Sequence, residues 1–309
     1  MSPPEAGPSA SPRIALVTAA AARALDEDLP PLEAAFAAMP AVAVSVVEWD
    51  DAAVDWGRFD LALLRSTWDY SRRLGEFLQW ASRVATQTTL LNPLPVLRWN
   101  TDKHYLHDLA HKGVAIVPSR FVEPGEDAAA ALDAFLADAP AEFVVKPSVG
   151  SGSRDAQRHV ADERAGAVAH MQRLLEARRS VLLQPYLDRV DEHGETALIY
   201  FAGTFSHAIR KGPLLRRGEG PTPALFATED IVARTPSAEE LRLGERTLAA
   251  MPFPGPLLYS RVDLIHDAGG APCVLELELA EPSLFFDHAP GSAARFATLV
   301  AAQAAASRR

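Results

Sequence analysis

Leu257-Leu-Tyr-Ser-Arg-Val-Asp-Leu-Ile265 and Pro272-Cys-Val-Leu-Glu-Leu-Glu-Leu279 are two apolar runs broken by charge at alternate positions. Residues i and i+2 of a strand share a face, so Arg261 projects with Asp263, and Glu276 with Glu278. Three carboxylates brought to one buried spot repel one another and lose hydration unless a cation joins them. A hard divalent cation with oxygen ligands, typically Mg²⁺ held with nucleotide phosphates, meets that need. The plainer alternative is a pair of half-exposed strands with acids turned to water, because Val262, Leu264, Leu275, Leu277 and Leu279 already supply an apolar face.

Outward from these strands, Glu195 to Phe201 and Thr204 to Lys211 are strands spaced as in an antiparallel sheet. A helix over Ser237 to Ala250 interrupts the series, and an Ala-rich helix closes the chain. Upstream, Phe143 to Lys146 and Val181 to Leu187 read as strands and Ala161 to Arg178 as a helix. A further helix runs through His111 with Asn100 or Thr101 as its cap. The first hundred residues alternate between the two periodicities: strands Arg13 to Thr18, Val42 to Glu48 and Leu61 to Leu64, helices Ala19 to Met39 and Gly75 to Thr86, and a short apolar run, Thr89 to Leu91, before Asn92-Pro93. Such alternation implies a small doubly wound parallel sheet, which binds ligands beyond the carboxyl ends of its strands.

The 309 residues, 48% hydrophobic and 23% charged, suffice for two or three α/β units sharing a cleft. A net charge of −10 offers no basic stripe for nucleic acid. Cys273, the sole cysteine, reads as a core residue, so neither a disulfide framework nor a Cys-based zinc site is expected. The first dozen residues lack a secretory pattern and no run spans a bilayer, which leads us to expect a cytoplasmic enzyme with a frayed tail over residues 1–12 and no membrane partner. Whether the chain forms a homo-oligomer is left open by the sequence.

Three other stretches carry chemistry. Phe143-Val-Val-Lys-Pro-Ser-Val-Gly-Ser-Gly-Ser153 ends a strand on a cation and continues in a loop where Gly150 and Gly152 let backbone N–H groups close over phosphate oxygens. It is not a Walker sequence, and read alone it is a turn. Val181-Leu-Leu-Gln-Pro-Tyr-Leu187 is by itself an edge strand, yet it suits an adenine edge, with Glu195 beyond it for ribose hydroxyls. Arg65-Ser-Thr-Trp-Asp-Tyr70 follows the third strand of the N-terminal sheet, a position that suits recognition of a small molecule; alternatively Trp68 and Tyr70 pack a loop against the sheet. No His/Asp/Ser arrangement supports a hydrolytic triad.

Taken in order, Lys103, Lys146-Pro147 with its Gly/Ser loop, Gln184-Pro-Tyr-Leu187, Gly194-Glu195, Arg261-x-Asp263 and Glu276-x-Glu278 resemble the ATP-grasp superfamily from about residue 13 onward. Arg65 to Tyr70, Gly203-Thr-Phe-Ser-His-Ala-Ile-Arg-Lys211 and Glu278-x-x-Glu-Pro-Ser-Leu-Phe285 resemble the branch that contains D-cycloserine synthetase. The resemblance implies an α/β ATP-grasp fold: a Rossmann-like pre-ATP-grasp domain over 13–100, a central lid module over 101–187 and a C-terminal module with the metal site over 188–309. It also implies that Lys103 and Lys146 meet the nucleotide phosphates, and that Ser148, Gly150, Ser151, Gly152 and Ser153 form their cover. By the same resemblance Gln184 and Leu187 lie at adenine, Glu195 at ribose, and Asp263, Glu276 and Glu278 at Mg²⁺. The resemblance further implies that Arg261 neutralises charge on the transferring phosphoryl group or the acyl phosphate and that Lys211 reaches the γ-phosphate. Arg65, Ser66, Thr67, Asp69 and Tyr70 are the candidates to grip the substrate, with Arg65 pairing a carboxylate or Asp69 an ammonium group. Many ATP-grasp ligases carry Asn where Glu278 stands, so the ligand set departs from the common one.

The implied activity is ATP- and Mg²⁺-dependent activation of a small carboxylate as an acyl phosphate, attacked by an amine-type nucleophile. Within that branch the nucleophile belongs to the same molecule, O-ureido-D-serine, which closes to D-cycloserine. Two other readings stand beside it: a kinase with a hydroxyl acceptor, and a nucleotide-binding regulatory protein without turnover.

Overall fold

The computed structural model describes residues 11–138, 140–220 and 230–307; the expected tail lies outside these residues except for its last two. Three sheets organise the chain. The first joins β1 (Arg13–Thr18), β2 (Ala43–Glu48), β3 (Leu61–Ser66) and β4 (Thr89–Leu91), all parallel, in the order β2-β1-β3-β4. A parallel sheet needs cover on both faces, and β1 shows how this is met. Ile14 and Leu16 point into one core with α1 (Leu29–Ala37), whereas Ala15 and Val17 point into another, built on Trp49, Trp56, Phe77 and Trp80 from the side of α2 (Leu74–Val84).

The long helix expected over Ala19 to Met39 is shorter: a single 3-10 turn, Arg23–Leu25, precedes α1. Pro30 and Pro31 explain this, because they fit only the first turn of a helix, where their missing N–H groups cost nothing. The helix expected from Asn100 is also broken, into α3 (Leu94–Asn100) and α4 (Tyr105–His111). Asn100 does not cap. Its side chain donates to Leu277 O at 2.8 Å and accepts from Leu279 N–H at 2.7 Å, tying the break to the strand that carries Glu276 and Glu278.

The second sheet is antiparallel, order β5-β8-β6-β7, from β5 (Arg120–Val122), β6 (Glu142–Pro147), β7 (Gln157–Val160) and β8 (Val181–Pro185). Phe143 and Val145 of β6 face a core with α5 (Ala128–Leu136) and α6 (Arg164–Glu176), leaving Val144 and Lys146 for the opposite face. The third sheet follows a short α7 (Val190–His193). It is antiparallel, order β11-β10-β9-β12-β13, from β9 (Glu195–Phe201), β10 (Thr204–Lys211), β11 (Ile231–Arg234), β12 (Tyr259–His266) and β13 (Pro272–Glu278). Leu198, Val262, Leu264 and Leu277 pack into one core with Leu243 of α8 (Ala238–Ala249), which opens on a capping box between Ser237 and Glu240.

The other face of this sheet has two characters. At one end Ile199, Phe201 and Tyr259 join the core shared with β1 and with α9 (Ser292–Ala306). At the other end Glu195, Arg261 and Asp263 occupy the same side of their strands. The mixed α/β architecture is therefore as expected. Among the described residues no helix is long and apolar enough to cross a membrane.

Candidate active site

A cavity of about 570 Å³ lies where the three sheets face one another. Strand register builds its charged wall: Arg261 stands opposite Glu278, Asp263 opposite Glu276, and Lys211 opposite Glu195. Gly194, at φ 70°, makes the last pairing possible, since a Cβ there would come within 2.3 Å of Lys211 O.

Each carboxylate is met by a cation from another segment. Lys146 Nζ lies 2.9 Å from Glu276 Oε1, with Lys103 Nζ at 3.7 Å. Lys211 Nζ lies 2.7 Å from Glu195 and 2.8 Å from Asp263. Arg261 forks onto both oxygens of Asp263 at 2.8 and 2.9 Å and also pairs with Glu278. The electrostatics follow. Burial opposes charge on Glu276, but Lys103, Lys146 and Lys211 outweigh it and hold the carboxyl at about 2. Burial likewise opposes charge on Asp263, and Arg261 and Lys211 overcome it, so its pKa lies below the ordinary value. Glu278 goes the other way, to about 7: burial dominates, Arg261 only partly offsets it, and Asp263 and Glu276 add repulsion. Burial raises Glu195 as well, against the pull of Lys211.

Lys103 and Lys146 are thus brought together at one carboxylate. Gly150, Ser151, Gly152 and Ser153 line the cavity. Ser148 is buried and does not; its N–H donates to Ser180 O (2.9 Å) and its carbonyl accepts from Lys103 N–H (3.0 Å), which makes it the root of the loop. Gln184 and Leu187 line the cavity too, and Gln184 is held by Ser119 Oγ at 2.9 Å.

Of the stretch Arg65 to Tyr70, only Trp68 and Tyr70 reach the cavity. The expectation that Arg65 grips the substrate is corrected: it is fully buried, paired with Asp28 at 3.4 Å and donating to Pro282 O at 3.3 Å. Ser66 bonds Thr18 Oγ1 at 2.7 Å, Thr67 is buried, and Asp69 accepts from Trp49 Nε1 at 2.8 Å, so these three also sit behind the cavity wall. The strand β3 is buried along its whole length, which carries its last polar residues inward.

Sequence reasoning missed Asp28 and Glu281. Asp28 accepts from the backbone N–H groups of Leu284, Phe285 and Phe286, clamping the segment after β13 to the N-terminal sheet. Glu281 lines the cavity with Tyr70, and burial, then Glu278, raises its pKa to about 8. A signal existed for Glu281, an acidic residue within Glu278-x-x-Glu-Pro-Ser. Asp28 had none that local pattern could supply.

Among the residues that line the cavity, the cations Lys103, Lys146, Lys211 and Arg261 stand with the carboxylates Glu195, Asp263, Glu276, Glu278 and Glu281. An all-oxygen acidic set beside lysines suits a hard divalent cation together with a polyanion. Among the described residues, however, no three His, Cys, Asp or Glu side chains converge as a ready metal cage. Glu195, Asp263, Glu276 and Glu278 are turned toward Lys and Arg side chains, so Asp263, Glu276 and Glu278 fit a metal ion once those cations move to anionic partners.

Residues 14–92 match the family described as the N-terminal domain of D-cycloserine synthetase DcsG. Over 295 residues the chain is 42% identical to the cycloserine biosynthesis protein DcsG of Streptomyces lavendulae, covering 93% of this chain and 97% of that one. The crystal structure of D-cycloserine synthetase DcsG superposes with a TM-score of 0.87 at 40% identity, covering 94% of this chain and 99% of the other. The fold extends further: the D-alanine–D-alanine ligase of Bacillus anthracis complexed with ATP matches with a TM-score of 0.67 at 14% identity (96% and 99% covered). The ATP-grasp ligase PsnB, complexed with a minimal precursor, Mg and ADP, matches at 0.62 and 17% (94% and 97%). With that identity over nearly its whole length, the chain is an enzyme and belongs to the D-cycloserine synthetase family of ATP-grasp ligases.

Proposed function

We propose that the enzyme uses ATP and Mg²⁺ to activate the carboxylate of O-ureido-D-serine as an acyl phosphate, and that the substrate's own N–O nitrogen then closes the ring toward D-cycloserine. The observation that carries this reading is the paired wall of Lys103, Lys146, Lys211 and Arg261 with Asp263, Glu276 and Glu278 at the meeting of three sheets. A carboxylate and a phosphate chain are both anions, so a site that joins them must supply positive charge and alignment.

Binding of the phosphates draws Lys103 and Lys146 off Glu276, and Lys211 off Asp263. Asp263, Glu276 and Glu278 would then hold Mg²⁺, which supplies charge neutralisation at the phosphates. Arg261, freed in part from Glu278, faces the reacting carboxyl. The Gly150 to Ser153 backbone covers the phosphates and keeps water from the activated carboxyl. Gln184 and Leu187 take the adenine edge and Glu195 the ribose. Tyr70 borders the substrate, while Arg65 acts through Asp28 and the segment it clamps.

The atoms balance. Closure alone lightens the substrate by the elements of water, taken up in splitting ATP to ADP and phosphate. Reaching D-cycloserine also requires the carbamoyl group to leave as CO₂ and NH₃, with one water consumed. ADP release with O-ureido-D-serine as the sole organic substrate tests the reading. Turnover only on addition of a separate amine overturns ring closure, and a stable phosphorylated product overturns ligation in favour of a kinase.

A further inference from the structure

Beyond β13 the chain turns beneath the N-terminal sheet, and this turn is fixed on every side. Trp68 Nε1 donates to Glu281 O at 3.1 Å, Arg65 donates to Pro282 O, Arg261 donates to Ser283 O at 3.1 Å, and Asp28 holds the next three N–H groups. The carboxyl of Glu281 therefore has a set position on the cavity wall. It is 7% exposed, and the Tyr70 hydroxyl is the neighbouring donor that acts on it. Among the described residues it forms no ion pair; Lys103 and Arg261 act on it only from farther away. A buried carboxyl with a donor but no cation is short of positive charge.

Resting on the ligase reading above, we propose that Glu281, oriented by Tyr70, receives the α-ammonium group of the substrate, so that the site selects α-amino acids over plain carboxylic acids. In an α-amino acid the ammonium group and the reacting carboxyl share one carbon, so their receptors must be neighbours. Glu281 meets this condition: it follows Glu278 by three residues, and Glu278 pairs with Arg261, the cation assigned to the reacting carboxyl. An amine kept as ammonium by a buried carboxylate has no lone pair with which to attack a second activated molecule, which disfavours intermolecular coupling. The push of burial and Glu278 on the Glu281 carboxyl, to about 8, agrees with a site completed by an incoming cation.

The test compares O-ureido-D-serine with its des-amino counterpart, 3-(ureidooxy)propanoic acid, in the wild type, Glu281→Gln and Glu281→Asp. The wild type is expected to prefer the amino compound by on the order of 100-fold in kcat/KM, the effect of losing one partner of a buried charge pair. In Glu281→Gln the preference collapses to about 5-fold or less, mainly through KM, with ATP affinity unchanged, and Glu281→Asp keeps an intermediate preference. A wild type that treats the two compounds alike overturns the proposal without any variant. So does a Glu281→Gln enzyme that turns over more slowly but keeps the wild-type ratio, since that marks a proton-transfer or purely structural role. Calorimetric affinities for both compounds, with a non-hydrolysable ATP analogue bound, give the same ratio without turnover. Failed ADP release therefore sinks the ligase reading, whereas a flat affinity ratio sinks the ammonium receptor.

Discussion

Two of the loops that line the cavity are held in opposite ways. The Gly/Ser loop after β6 is rooted at Ser148 and braced by Arg179, which pairs with Asp155 and donates to Val149 O at 3.2 Å. Between these points Gly150 to Ser153 offer backbone and small polar side chains, with left-handed φ at Gly152 and Ser153. The loop after β13 is instead bonded at nearly every residue, through Trp68, Arg65, Arg261 and Asp28. On the proposed reading, the loop that would admit and cover phosphates is tethered at its base, whereas the loop that would measure a small substrate is fixed throughout. The charged wall of β12 and β13 stands between them and serves both.

Removing that wall breaks the comparison most completely. Asp263→Ala or Glu276→Ala is expected to lower kcat/KM by about 1,000-fold or more in a protein that still folds, read by ADP release and circular dichroism. Near-wild-type turnover of Asp263→Ala in Mg²⁺ would remove the metal role. Glu278→Asn, which installs the residue common in related ligases, is expected to be milder.

Unclamping the fixed loop comes next. Asp28→Ala strands the buried Arg65 and three backbone donors, so a loss of about 3 kcal/mol in unfolding free energy is expected from urea titration. A loss near zero would mean that the clamp is not what fixes this loop. The same loop carries a pH signature. The folded-state pKa of Glu281, about 8, lies above its ordinary 4.5, so the folded protein keeps a proton that the unfolded chain releases. Its contribution to stability is complete below the ordinary value and is lost as pH rises toward 8, at a slope near 1 kcal/mol per pH unit. Unfolding midpoints that fall over this range, and fall less in Glu281→Gln, would confirm the sign; a rise would refute it.

The smallest effect belongs to the tethered loop. Gly152→Ala at φ 63° introduces about 1 kcal/mol of local strain, so global stability should barely change while turnover drops by about tenfold or less. Unchanged turnover together with unchanged ATP affinity would show that this loop is not the phosphate cover.

The charged wall was legible in part because strand alternation is a local rule: by spacing alone Arg261 shares a face with Asp263, and Glu276 with Glu278, while the β12–β13 register brings the two pairs together. The strands β1, β9 and β10 were read to the residue, because an apolar run and an alternation are both local signals. Short or polar elements were passed over, β5 with three residues and β7 as Gln-Arg-His-Val, because their pairing and not their pattern makes them strands. Arg65 was misplaced on similar grounds. Its partners Asp28 and Pro282 are 37 and 217 residues away, so its burial could not be read from its neighbours.

The shared core of β1 and α9 bears on how the protein is made. Ile14 and Leu16, among the first described residues to leave the ribosome, pack in one cluster with Phe296, Val300 and Ala304, among the last. One apolar face of the N-terminal sheet therefore lacks its full cover until α9 has been made, so the N-terminal half emerges with hydrophobic surface still open.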